Sequence, residues 1–157
     1  MDKRQGYSKE ALINYNTIGK ATGEINATRG ENIITIEDPI EFVHHAKQSI
    51  ISQREVGKDT ASFAKALKSA LRQDPDIILV GEMRDYETVS LALTAAETGH
   101  LVFGTLHASN VSSTITRILD VFPPAQKTLA QSMLAGSIRL VLSQQLLKKK
   151  GGGRIGC

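Results

Sequence analysis

Three short stretches carry side chains suited to phosphate chemistry. They are Ile36-Glu37-Asp38-Pro39-Ile40-Glu41, Val80-Gly81-Glu82-Met83-Arg84-Asp85 and Thr98-Gly99-His100-Leu101-Val102-Phe103-Gly104-Thr105-Leu106-His107. The first two each follow an apolar, β-branched run, and the third contains its run. Such runs read as buried strands, and helix-like segments separate them. In an open parallel sheet, ligands gather outside the carboxyl ends of the strands. Glu37, Asp38, Glu41, Glu82 and His107 are therefore expected to converge on one rim. Two acidic clusters and a histidine placed together there suit a metal-bound polyphosphate.

The elements that must position them follow from pattern. Asn32–Ile36, Ser49–Gln53, Ile77–Val80 and Leu101–Thr105 read as strands, and Ile138–Leu146 as a further one. Phe63, Leu67 and Leu71 fall four apart behind a cap at Asp59 or Thr60, and Pro75 forbids that helix to continue. Tyr86–Glu97 reads as a helix with Val89, Leu93 and Ala96 on one face, closed by Gly99. Val111, Ile115, Ile118, Leu119 and Phe122 form another helical stripe, stopped by Pro123 and Pro124, and a further helix starts near Pro124. Met1–Gly30 is polar and mixed, with Gly19, Gly23 and Gly30 expected to interrupt any helix. Lys148–Gly153 reads as a turn or linker, and no internal repeat is visible. Strands alternating with helices imply right-handed crossovers and an α/β architecture with a mostly parallel sheet.

Composition bounds the answer without deciding it. A chain of 157 residues with 41% hydrophobic and 22% charged residues suits one globular domain with a real core. A net charge of +3 is mild and reads as a solvated surface. The single cysteine, Cys157, excludes an intrachain disulfide and a cysteine-based zinc site within the chain. Aromatic residues make up only 4%, with no basic-aromatic stacking platform, which argues against a nucleic-acid-binding module. With no signal peptide and no 18-residue apolar run, a cytoplasmic location is expected.

The three stretches resemble the Asp box, the variant Walker B and the His box of the secretion and type IV pilus ATPases. Ser52-Gln53-Arg54-Glu55-Val56-Gly57 and Ser143-Gln144-Gln145-Leu146-Leu147 extend the likeness, which is strongest to the retraction class. It covers Glu31–Arg154, about four fifths of the 157 residues, and divides the chain into a poorly matching segment 1–30 and a partial C-terminal ATPase domain, 31–157. The resemblance implies a RecA-like P-loop NTPase core, ATP and magnesium as ligands, and a homohexameric motor. Such a motor works at an inner-membrane pilus platform protein, peripheral to that membrane, and drives pilus retraction, twitching motility and DNA uptake. It implies that Glu41 is the general base and that Glu82 holds magnesium through water, with Gly81 where an ordinary Walker B has Asp. Glu37 and Asp38 join the nucleotide or metal site. Arg84 either pairs with Asp85 to brace its loop or touches phosphate or a neighbouring subunit. His107 hydrogen-bonds a γ-phosphate oxygen or reports its loss to the next subunit, and Thr105 assists. His44, His45 and His100 read as packed, structural histidines, the last at the opposite rim.

The phosphate loop is the gap. A Walker A needs Gly, four residues, then Gly-Lys-Ser/Thr, so that backbone amides at a helix start cradle phosphates. The nearest match, Asn14-Tyr15-Asn16-Thr17-Ile18-Gly19-Lys20-Ala21-Thr22, lacks the first glycine and the hydroxyl, and no apolar strand precedes it. Lys20 reads as an exposed lysine and the isolated chain as inactive. Both ends are expected to be cut, without the N-terminal PAS-like domain or the C-terminal helices of the family. Extension and type II secretion ATPases usually carry a cysteine-paired zinc segment in this region, where this chain has Leu146-Leu147-Lys148-Lys149-Lys150-Gly151-Gly152-Gly153, which looks like the retraction class. The alternatives are an extension or secretion motor, and a non-catalytic assembly fragment that binds motor subunits.

Overall fold

Apolar β-branched runs suit strands covered on both faces, as in a parallel sheet, and these runs form one. The computed structural model describes residues 9–108, 110–143, 146–148 and 154–156. Strands β1 (Asn32–Glu37), β2 (Ile50–Glu55), β3 (Ile77–Val80) and β4 (Leu101–Gly104) lie in the order β2-β1-β3-β4, all parallel. Ile36 pairs with Val80, Val80 with Gly104, and Glu37 with Glu55, so the four strands end at nearly one level.

One face of the sheet carries helices α2 (Phe63–Ala70) and α3 (Tyr86–Glu97). Ile36, Ile78 and Val80 pack there against Ala66, Leu67, Ala92 and Ala95. A second cluster joins α3 to α4 (Val111–Asp120) and α5 (Lys127–Ser137), with Val89, Leu93, Ile118, Phe122, Ala130 and Leu134 buried together. The 3-10 turn Pro124–Gln126 leads into α5, using Pro where its missing N–H costs nothing. Gly99, at φ +103°, closes α3 as expected.

Three sequence expectations are corrected. Residues 9–28 form a continuous helix, α1 (Lys9–Thr28), despite Gly19 and Gly23. Each glycine costs about 1 kcal/mol against alanine, and tertiary contacts outweigh that cost. Thr22 and Asn26, one turn apart, are buried. The Asn26 amide donates to the His45 carbonyl (2.8 Å) and accepts from the Lys47 N–H (2.9 Å). The cap of α2 is Ser62, which accepts from the Lys65 N–H, rather than Asp59 or Thr60. Residues 138–143 are not a strand: Leu140 and Leu142 are exposed, and no strand lies beside them among the described residues. Instead β5 (Leu146–Lys148) pairs antiparallel with β6 (Arg154–Gly156). The linker expected at Lys148–Gly153 lies outside the described residues after Lys148. No described helix is long and apolar enough to cross a membrane.

Candidate functional site

A buried carboxyl group needs hydrogen-bond donors, and Glu37 has them. It ends β1, only 1% exposed. Thr35, two residues earlier and so on the same face, donates its hydroxyl to Oε1, and Gln53 Nε2 donates to the same oxygen at 3.0 Å. The Glu41 N–H also donates to this carboxylate. Burial nevertheless pushes the Glu37 pKa up from 4.5 to about 7, against the Gln53 hydrogen bond and helped by the negative charges of Glu41 and Glu55. Asp38 is exposed and joined to Pro39 by a cis peptide bond. Glu41 is half-buried on the loop that follows.

The neighbouring strand exit explains why glycine stands at position 81. The Gly81 N–H donates to the Ile36 carbonyl at 2.8 Å. A Cβ there would lie 3.0 Å from that oxygen and 3.3 Å from Glu37 Cα, both backbone atoms that cannot swing away. The carboxylate therefore falls to Glu82. Its Oε1 accepts from Arg84 Nε and meets His107 Nε2 at 3.1 Å.

His107 reaches Glu82 because pairing of β3 and β4 continues past the strands. The Thr105 N–H donates to the Val80 carbonyl (3.3 Å) and the Met83 N–H to the Thr105 carbonyl (3.1 Å). The Thr105 hydroxyl donates to the Gly81 carbonyl. The Met83 side chain closes over Gly104, where a Cβ would meet its thioether sulfur and methyl.

The residues expected at one rim thus stand at adjacent strand exits. Glu37 and Glu41 form one group with Gln53 and Glu55; Glu82, Arg84 and His107 form the other. Arg84 pairs with Glu82, not with Asp85, because Asp85 is spent as the N-cap of α3, accepting from the Thr88 N–H (2.8 Å) and hydroxyl (2.7 Å). The Thr105 hydroxyl is committed to backbone and braces the two exits. His100 lies at the opposite rim, its Nδ1 2.9 Å from the Ala95 carbonyl. His44 packs edge-on against Phe42, and burial lowers its pKa. His45, expected to be packed, is exposed. Sequence reasoning missed Gln53 and Glu55 as parts of the site, although the motif containing them carried the family likeness.

The residues fit a magnesium site of a restricted kind. No group of three or more His, Cys, Asp or Glu among the described residues could cage a metal. Magnesium is commonly held by one or two carboxylates with water and substrate phosphates, and Glu82 supplies such a hard oxygen donor. The Asn14–Thr22 segment lies inside α1, where backbone N–H groups are bonded along the helix and offer no cradle.

The sequence model of the family described as "Type II/IV secretion system protein" matches residues 16–151. The chain belongs to that family. Among curated relatives, the "Type IV pilus retractation ATPase PilT" of Pseudomonas aeruginosa is 58% identical over 139 residues, 88% of this chain and 40% of its own length. The "Twitching motility protein" of Neisseria gonorrhoeae is 58% identical over 146 residues, 92% of this chain and 37% of its own. The "Type IV pilus assembly ATPase PilB" of P. aeruginosa is 40% identical over 134 residues, 85% and 22% of the two chains. Among solved structures, the pilus retraction motor PilT with bound ADP superposes with a TM-score of 0.85 at 56% identity, over 89% of this chain and 41% of that one. The Legionella pneumophila ATPase DotB gives 0.88 at 32% identity, over 95% and 42%. The α/β fold of this secretion-ATPase family is thereby established, and the chain spans about two fifths of the first of these relatives.

Proposed function

We propose that this chain is the catalytic core of a hexameric ATPase that powers type IV pilus retraction. The observation that carries the reading is the pairing of Glu82 with His107 at the β3 and β4 exits, beside the β1 exit that carries Glu37 and Glu41. Hydrolysis requires a metal held near the β- and γ-phosphates and a water aligned for in-line attack. In this reading Glu82 would hold magnesium through water, and the metal would supply neutralisation of the phosphate charge. Glu41 accepts a proton from the attacking water. His107, half-exposed beside Glu82, senses the γ-phosphate by exchanging one hydrogen-bond partner for another. Glu37 fixes the backbone of Glu41, and Asp38 and Arg84 flank the phosphates. The motor would sit at the cytoplasmic side of the inner membrane against the pilus platform protein.

Retraction is favoured over extension by the 58% identity to PilT against 40% to PilB. The position of residues 14–22 inside a helix favours a second reading for the isolated chain, a fragment that assembles with motor subunits but does not hydrolyse ATP. In a full-length motor carrying this segment, Glu82→Gln should bind ATP and lose turnover, whereas unchanged turnover would exclude Glu82 from the reaction.

A further inference from the structure

β2 does more than close the edge of the sheet. Gln53 and Glu55 are two residues apart, so their side chains share one face of the strand, and the loop after β1 folds back along that face. The Ile40 N–H donates to Glu55 Oε2 at 3.2 Å, and the His44 N–H donates to Gln53 Oε1 at 2.7 Å. Gln53 Nε2 donates to the Phe42 carbonyl at 2.9 Å and to Glu37 Oε1 at 3.0 Å. Backbone groups at alternate loop positions, 40, 42 and 44, thus meet alternate β2 side chains, much as a strand meets its neighbour. Glu41 lies inside this ladder, and its own N–H is held by Glu37. The loop buries little apolar surface of its own, since Phe42 and Val43 are 60% and 65% exposed. Polar tethers rather than packing must fix its course.

From this geometry we infer that Gln53, with Glu55, is the positioning residue for the loop that presents Glu41. Only a carboxamide serves at 53. Its oxygen accepts from His44 while its nitrogen donates to both Phe42 and Glu37. A carboxylate would keep the acceptor, lose both donors, and add a negative charge beside Glu37, Glu41 and Glu55. Glu55 is itself steadied by Lys58, whose Nζ pairs with its Oε1. The role of Gln53 in turnover rests on the proposed base function of Glu41; its hold on the loop does not.

The test uses a full-length motor carrying this segment, with Gln53→Glu and Gln53→Met, and thermal melts as the folding control. Hydrogen–deuterium exchange of the peptide spanning residues 38–45 reads the hold on the loop. Steady-state ATP hydrolysis reads its consequence. Exchange in that peptide should rise in both variants. The kcat should fall roughly 10–100-fold, as is typical when a residue orienting a functional group is removed, with KM for ATP within about threefold. Because Gln53→Met adds no charge, a fall in both variants ties the effect to the lost hydrogen bonds. Unchanged exchange overturns the clamp whatever the activity. Faster exchange with unchanged kcat overturns its part in turnover. An inactive wild-type motor overturns the ATPase reading alone, and the exchange result still decides whether the clamp exists.

Discussion

Replacing Glu37 with Gln should change how the stability of this chain depends on pH, in a direction set by burial. Glu37 is buried, and its pKa is raised from 4.5 to about 7. Between those values the folded chain keeps a proton that the unfolded chain has lost. The stabilisation is fully present below 4.5 and is lost as pH rises through about 7. At about 1.36 kcal/mol per pH unit, the span from 4.5 to about 7 is worth roughly 3 kcal/mol. The neutral amide of Glu37→Gln cannot titrate, so the variant should match the wild type within ~1 kcal/mol near pH 5. It should gain on the wild type by up to ~3 kcal/mol by pH 8. For a domain of this size, each kcal/mol corresponds to about 2–4 °C in Tm. Urea unfolding of both proteins across that range measures the difference. Subtraction removes His44, whose burial-lowered pKa gives the opposite slope. A difference that stays constant from pH 5 to pH 8 would refute the burial argument.

The chain alone should show no micromolar binding in calorimetry with Mg-ATP, because residues 14–22 lie inside α1 and offer no phosphate cradle; a clear micromolar isotherm would locate a cradle elsewhere in it. Gly81→Ala should destabilise the chain by about 1–3 kcal/mol in chemical unfolding, since the new methyl meets the Ile36 carbonyl. Gly104→Ala should cost less, because the Met83 side chain it meets can move; the reverse order would undo the reading of these two contacts. In a full-length motor, His107→Ala should cut ATP turnover strongly while His100→Ala, bonded at the far rim, should change it little. Equal damage from both, with melts unchanged, would mean that the rim is misdrawn.

Much of the candidate site's placement was legible because its determinants are local. Ile77–Val80 and Tyr86–Glu97 have the bounds their patterns predict, since a buried parallel strand and a capped, Gly-closed helix each write their rules into adjacent residues. The rim followed from strand direction alone. What sequence did not show depends on partners distant in the chain. α1 survives two glycines because Asn26 is fastened to a loop about twenty residues on. The alternating Ile138, Leu140 and Leu142 look like a strand but find no neighbour to pair with among the described residues. Arg84 chose Glu82 because Asp85 was already committed to capping α3, a competition that spacing alone could not decide. Gln53 reads as an ordinary strand residue until the loop is seen lying against it.

In the proposed motor, the rim formed by the β1, β3 and β4 exits hydrolyses ATP with Glu41 as the base. Steady-state ATP hydrolysis by a full-length motor carrying this segment, measured for wild type and Glu41→Gln at saturating Mg-ATP, tests it most directly. The kcat of Glu41→Gln should fall by a factor on the order of 10²–10⁴, with nucleotide binding and the thermal melt unchanged. A variant that turns over ATP within about threefold of the wild type would contradict it.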